Sequence, residues 1–185
     1  KEIEEAVSVP FLGEIPLVKH SRMERVKGRK SKTPERIIYY DGMSKSILTE
    51  SLRILTTNIE FMKDSASKGN VITLTSFNPG AGKSFVMSNI AACIADSNKT
   101  VVMVDCDLRK RSMSRSFGHS HKTKGVSNYL YDTSLQLDSI IFKDVAPGID
   151  LIPAGMVPPN PVELLKRDRF EQMIRDLRDR YDYVL

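Results

Sequence analysis

Along the chain, apolar positions change period several times, and each change marks an element. Leu48, Leu52, Leu55, Ile59 and Met62 recur at helical spacing behind the capping candidates Ser44, Ser46 and Thr49. This predicts a helix of about four turns to near Lys63, with Glu50, Arg53, Thr57 and Asp64 on its opposite face. After Gly69-Asn70, the run Val71-Ile72-Thr73-Leu74-Thr75 is β-branched and apolar on both faces, the pattern of a buried parallel strand. From Lys83, the positions Phe85, Met87, Ile90, Ala91, Ile94 and Ala95 give a second helix, buried over a wide stripe and ending at Asp96-Ser97-Asn98. Val101–Val104 is a short, wholly apolar strand. Strand, helix and strand within about 35 residues form a right-handed βαβ unit. Ile149–Pro153 reads as a further strand, and Asn160-Pro161-Val162-Glu163 starts a helix with Asn as N-cap and Pro at the first helical position. Another helix starts at Asp168, with Phe170, Ile174, Leu177 and Tyr181 inward, and a last strand begins in Tyr181–Leu185. The predicted class is α/β, a mostly parallel sheet flanked by helices.

Residues 1–42 do not share this periodicity. Short apolar islands (Val9–Leu12, Ile15–Val18) precede a stretch from Lys19 to Arg36 with eight basic and two acidic residues, then Ser31-Lys32-Thr33-Pro34 breaks any pattern. This segment reads as a basic arm or linker, and residues 43–185 as the folded domain. The formal charge of +5 on 185 residues is carried by that arm, because the remainder sums to about −1. A second basic run, Arg109 to Lys124, holds six cations and no acid, and only Phe117 offers a base a stacking surface. A nucleic-acid partner is therefore not expected. Hydrophobic residues at 41% and charged residues at 28% exclude a disordered or low-complexity chain. No stretch approaches the roughly 18 consecutive apolar residues of a membrane span. Cys93 and Cys106 lie in apolar runs without disulfide or metal-ligand spacing, and His119 and His121 read as solvated residues of a basic loop.

Chemistry concentrates in Asn78-Pro79-Gly80-Ala81-Gly82-Lys83-Ser84-Phe85, between a strand and a helix. Glycines there let backbone N–H groups turn inward around phosphate oxygens at a helix N-terminus. Lys83 would reach the β- and γ-phosphates, and the Ser84 hydroxyl would hold Mg²⁺. Phe77 stands where the full pattern has its first Gly, and Pro79-Gly80 can supply the turn instead. The strand Val101–Val104 runs into Asp105-Cys106-Asp107-Leu108-Arg109, two carboxylates at the carboxyl end of a parallel strand, where an open α/β sheet binds ligands.

This loop, followed by an apolar strand ending in Asp-x-Asp-x-Arg, resembles the Walker A and Walker A′ motifs of the bacterial tyrosine kinases, the Wzc-like autokinases of capsule and exopolysaccharide synthesis. The resemblance continues through Gly125–Leu130, Ile152–Gly155 and Pro158–Leu165 to Tyr181–Leu185, similar to the approach to the family's Walker B strand. It implies a P-loop NTPase fold, incomplete here because the Walker B aspartate would fall past Leu185. Upstream, Glu50 and Arg53 match the family's Glu-x-x-Arg-x-x-Arg helix, which mediates ring-shaped oligomers, while Thr56 stands at the second arginine position. Val9–Val18 is similar to the segment that follows a second membrane helix in fused family members.

The resemblance implies an ATP- and Mg²⁺-dependent protein-tyrosine autokinase at the cytoplasmic face of the inner membrane. Its expected partners are a membrane polysaccharide co-polymerase domain, fused or separate, and a C-terminal tyrosine cluster presented by a neighbouring subunit. Asp105 is the expected acceptor of the tyrosine proton and, with Asp107 and Ser84, a metal-site residue. Arg109 to Lys124 would face acidic or phosphorylated segments, and the arm Lys19–Arg36 would meet anionic lipid, each basic residue gaining about 1 kcal/mol. Tyr181 and Tyr183 read as packing residues, with Tyr39 and Tyr40 left open. Two other readings remain: a deviant-Walker ATPase of the partitioning or septum-positioning type, whose signature Lys would occupy the place of Asn78, and a non-catalytic, nucleotide-gated assembly module.

Overall fold

A computed structural model describes residues 9–17, 38, 40–62 and 69–185. The elements are α1 (Ile47–Phe61), β1 (Asn70–Val71), α2 (Lys83–Asp96), β2 (Val101–Val104), α3 (Ser112–Ser116) and α4 (Val126–Tyr131). They continue with a 3₁₀ turn (Leu137–Ile140), β3 (Phe142–Ala146), β4 (Ile149–Ile152), α5 (Pro161–Leu165), α6 (Asp168–Arg180) and β5 (Tyr183–Val184). The sheet order is β1-β5-β2-β4-β3. Strands β1, β5, β2 and β4 are mutually parallel, and β3 returns antiparallel on β4.

Strand side chains alternate between faces, and this splits the core in two. Val102, Val104, Ile152 and Val184 meet α4 and α6 on one side, through Val126, Leu130, Met173 and Leu177. Val101, Met103, Leu151 and Tyr183 meet α1 and α2 on the other, through Leu52, Ile90, Ala91 and Ile94. Each fully buried aliphatic side chain contributes about 1.5–3 kcal/mol relative to exposure, so the central strand β2, buried at all four positions, is the anchor for whatever follows it.

Helix α1 begins as expected: Ser46 is its N-cap, and its side chain accepts the Thr49 N–H. Leu52 is fully buried, but Met62 lies one residue past the helix end and is exposed. Asn160 occupies the N-cap of α5 with Pro161 next, although its side chain makes no capping hydrogen bond. The expected buried strand Val71–Thr75 is corrected. Only Asn70–Val71 pair, at the edge of the sheet, and Val71 and Leu74 are exposed. The Asn70 and Ile72 N–H groups reach the Asp182 and Val184 carbonyls. Four elements carried no legible pattern: α3, α4, the 3₁₀ turn and β3. Lys19–Arg36, expected to meet anionic lipid, and Tyr39 lie outside the described residues.

Candidate functional site

At the carboxyl ends of the parallel strands lies a cavity of about 870 Å³. The segment leaving β1, the first turn of α2 and the segment leaving β2 border it, with Phe170 and Ile174 of α6 and Val184 and Leu185 at β5. Gly80 and Gly82 have φ of 79° and 90°, in the left-handed region that glycine enters without penalty. Nothing lies within 4 Å of where a Cβ on either would project. Gly82 is the N-cap of α2 and its carbonyl accepts the Val86 N–H, so the helix starts directly from the loop.

Lys83 follows at the first helical position. Its Nζ donates to Ser76 Oγ at 2.8 Å, and Ser76 Oγ donates to the Asn78 carbonyl at 2.8 Å. A neutral hydroxyl is thus the partner of a cavity-lining cation, and no carboxylate pairs with it among the described residues. That cation is available to an anion. Asn78, Pro79, Gly80, Gly82, Ser84 and Phe85 also line the cavity, whereas Ala81 is exposed outside the lining.

On the facing side, β2 delivers Asp105. Its backbone N–H is bound to the Ile152 carbonyl at 3.0 Å, which extends the β2–β4 ladder by one residue. The carboxylate is buried at 3% exposure. Its Oδ2 accepts the Ser114 N–H at 2.9 Å and the Ser114 hydroxyl at 2.6 Å, and its Oδ1 accepts the Asp107 N–H at 3.2 Å. Burial raises the Asp105 pKa, and these hydrogen bonds oppose the rise without cancelling it. Ser114 Oγ in turn accepts the Ala154 N–H at 2.9 Å, so one hydroxyl joins the ends of β2, α3 and β4. Asp107 is exposed, and its Oδ1 accepts the Lys110 N–H at 2.9 Å.

These residues fit a nucleoside triphosphate with Mg²⁺. The loop provides open space around two left-handed glycines, an amine without a counter-ion among the described residues, and a hydroxyl at Ser84. Among the described residues no three His, Cys, Asp or Glu side chains cluster as a self-sufficient metal centre, and Mg²⁺ is commonly held by one or two protein oxygens plus substrate phosphates.

The motifs quoted downstream have a structural explanation. A Cβ on Gly125 would lie 1.9 Å from the Pro153 carbonyl oxygen, and one on Gly155 would lie 2.5 Å from both Ser127 Oγ and Asn128 Oδ1. Val126 and Ser127 N–H groups bind the Pro153 and Ala154 carbonyls at 2.8 and 3.0 Å. The start of α4 is thereby clamped onto the end of β4, beside Ser114 and Asp105. Glu50 and Arg53 lie on α1, away from the cavity lining, as an ion pair at 2.8 Å, with Arg53 also donating to the Gly42 carbonyl. Thr56 points inward and is 6% exposed.

Sequence reasoning missed Ser114, Ser76, and the cavity-lining Lys110, Phe170 and Ile174. Ser76 and Ser114 sit in no local pattern, whereas Lys110 belongs to the basic run and Phe170 and Ile174 show a helical period that does not connect them to the cavity. Cys106, expected within an apolar run, is exposed at the cavity because the strand has already ended at Val104. The expected solvation of His119 is also corrected: its ring lies 4.4 Å from that of Phe142, and burial lowers its pKa. Tyr181 and Tyr183 are buried, and each also hydrogen-bonds, Tyr181 to Asp150 and Tyr183 to Glu60. Tyr40 donates its hydroxyl to Asp96 at 2.9 Å.

The AAA domain family matches residues 69–185. The chain is 38% identical over 136 residues to the tyrosine-protein kinase etk of Escherichia coli, covering 74% of this chain and 18% of that protein. It is 37% identical over 144 residues to the tyrosine-protein kinase wzc of Salmonella typhimurium, covering 78% and 20%. The chain thus spans about a fifth of the length of these curated relatives. The solved kinase domain of the Escherichia coli tyrosine kinase ETK superposes with a TM-score of 0.83 at 32% identity, covering all of this chain and 70% of that one.

Proposed function

The chain belongs to the bacterial tyrosine kinases, within the AAA domain family, and on that premise we propose that it forms the nucleotide-binding part of an ATP-dependent protein-tyrosine autokinase that regulates capsule or exopolysaccharide polymerisation and export. The observation that carries this reading is Lys83, a cavity-lining cation on a glycine loop whose hydrogen-bond partner is a neutral hydroxyl.

Bound ATP·Mg²⁺ supplies the transferable γ-phosphoryl group and much of the charge neutralisation. The chain's own residues do the positioning. Backbone N–H groups of Gly80 to Ser84 orient the phosphates, Lys83 balances charge on the transferring group, and Ser84 and Asp107 would hold the metal. Asp105 takes the proton of the acceptor hydroxyl. A tyrosine pKa is about 10, so a carboxylate acts as base only late in transfer, and burial that raises the Asp105 pKa narrows the gap. Glu50 and Arg53 contribute to contacts between copies in a ring, each of which would receive its neighbour's C-terminal tyrosine cluster. We assign residues 1–42 to a juxtamembrane arm and 43–185 to the kinase domain, working at the cytoplasmic face of the inner membrane beside a co-polymerase domain. No helix among the described residues is long and apolar enough to cross a membrane.

The test is Lys83→Met in the purified protein incubated with ATP and Mg²⁺, with phosphotyrosine read by mass spectrometry. The unsubstituted protein gains phosphotyrosine and the variant gains none. Phosphotyrosine retained in the variant, or free phosphate released by the unsubstituted protein without any phosphotyrosine, overturns the assignment.

A further inference from the structure

Arg109, Lys110, Arg111, Arg115, Lys122 and Lys124 form a run of six cations without an acid, and it begins at the cavity. Arg109 and Lys110 line the cavity itself. Arg115 lies in the last turn of α3. The His119 N–H then binds the Ser114 carbonyl at 2.9 Å, and the Lys122 N–H binds Ser120 Oγ at 3.2 Å, which folds the second half of the run back toward α3. Elsewhere Arg53, Lys143, Arg175 and Arg180 each pair with a carboxylate. Arg109, Lys110, Arg115 and Lys122 have no ion-pair partner among the described residues. The nearby acids do not neutralise them: Asp105 is buried on Ser114, Asp107 accepts the Lys110 backbone N–H, and Asp132, at the far end, interacts with Lys124. Like charges gathered at the mouth of a cleft raise the local concentration of an anionic ligand.

Apolar side chains line the same cavity. Phe77 is fully exposed and Leu74 is 38% exposed, and Phe170 and Ile174 are also among the lining residues. Within the basic run no large apolar side chain is exposed: Phe117 packs into the core, and His119 lies against Phe142. The run therefore offers neither a stacking platform for nucleic-acid bases nor a side chain to insert into a membrane. Basic and apolar side chains lining one cavity beside a glycine loop fit a tyrosine ring carried on an anionic peptide.

Resting on the kinase reading, we propose that Arg109–Lys124 is a docking strip that selects acceptor tyrosines flanked by negative charge, with the acceptor ring against the Phe77 side of the cavity. The flanking charge is carboxylate or the phosphate of a neighbouring phosphotyrosine, two sources of the same chemistry.

Fluorescence anisotropy tests this with labelled heptapeptides, each with a central tyrosine, flanked by Glu, by phosphotyrosine or by Gln. At least one anionic peptide should bind about tenfold or more tighter than the Gln peptide, and the preference should shrink as salt is added. Which anionic peptide does so identifies the source of charge. The combined variant Lys110→Glu, Arg115→Glu, Lys122→Glu should lose the preference while its circular dichroism is unchanged. Lys99→Glu, an exposed charge reversal before β2 at the opposite end of that strand, should keep it. Equal affinity for the Gln peptide, or an equal loss in Lys99→Glu, overturns the proposal. Stronger competition by duplex DNA or phosphatidylserine vesicles than by either anionic peptide does the same. Phosphate incorporation is measured separately. If the Gln peptide is phosphorylated as readily as the anionic ones and binds as tightly, the docking strip fails while the kinase reading stands. If anionic peptides bind the strip but no peptide gains phosphate, the kinase reading fails and the strip stands as an anionic-peptide site.

Discussion

Replacing Ser114 by Ala isolates the polar junction behind the site. The hydroxyl donates to the Asp105 carboxylate at 2.6 Å and accepts the Ala154 N–H at 2.9 Å, and Asp105, Ser114 and Ala154 are all buried. Losing a hydrogen bond to a buried carboxylate costs about 1.5–3 kcal/mol, and orphaning a buried N–H costs about 1–3 kcal/mol. The two together come to about 2.5–6 kcal/mol, a large part of the roughly 5–15 kcal/mol that holds a domain folded. A pH signature distinguishes this from simple loss of packing. The folded pKa of Asp105 is raised by burial. The folded chain therefore retains a proton that the unfolded chain has released, and stability falls as pH rises from the ordinary value of 3.8 through the folded value. Ser114→Ala removes a bond that lowers that pKa, so the destabilisation grows over the same window, being larger near neutrality than in mild acid. Urea denaturation followed by circular dichroism at about pH 4 and about pH 7.5 measures both quantities. A loss below about 1 kcal/mol at neutral pH, or the same loss at both pH values, would refute the reasoning.

Gly125→Ala should be as damaging for a different reason. Its φ of −165° suits any residue, but the new methyl would meet the Pro153 carbonyl oxygen at 1.9 Å, and forced backbone movement costs about 3 kcal/mol. Gly118→Ala, with φ of 81° and open space around it, should lose only about 1–2 kcal/mol from backbone strain; thermal melts that rank the two the other way contradict the clamp. Asp150 is the opposite case to Asp105. Burial raises its pKa, but hydrogen bonds from Lys143, Tyr181 and the Asp144 N–H outweigh this and hold the carboxyl below 3.8. Its stabilising contribution is present above that value and is lost as pH falls through the folded one. Asp150→Asn should be less stable at neutral pH and flatter in acid, and an unchanged acid slope between about pH 2 and pH 4 would discount the network.

What could be read from the residues alone divides along a physical line. Helix α2 and strand β2 were legible because each is long or apolar enough to show a period, and the phosphate loop because glycine marks a backbone that other residues avoid. These are local signals. Val71–Thr75 carries the same local signal as a buried strand, yet only Asn70–Val71 pair, with Tyr183–Val184, and a pairing partner so distant along the chain is not written in the local pattern. Strand β3 was invisible since Asp144, at φ 49°, interrupts its alternation. The site shows the same division. Asp105 and Asp107 were found from their place after an apolar strand, but nothing in Asp-x-Asp reveals that Ser114, nine residues on and inside a five-residue helix, turns back to hold the first carboxylate and leaves the second exposed. Two acids of the same type and spacing thus acquire opposite surroundings from one distant hydroxyl. The sequence motif names the groups at the cavity, while the burial and hydrogen bonding of Asp105 are created by tertiary packing, which makes Ser114 the residue through which that carboxylate can be altered without substituting any group that lines the cavity.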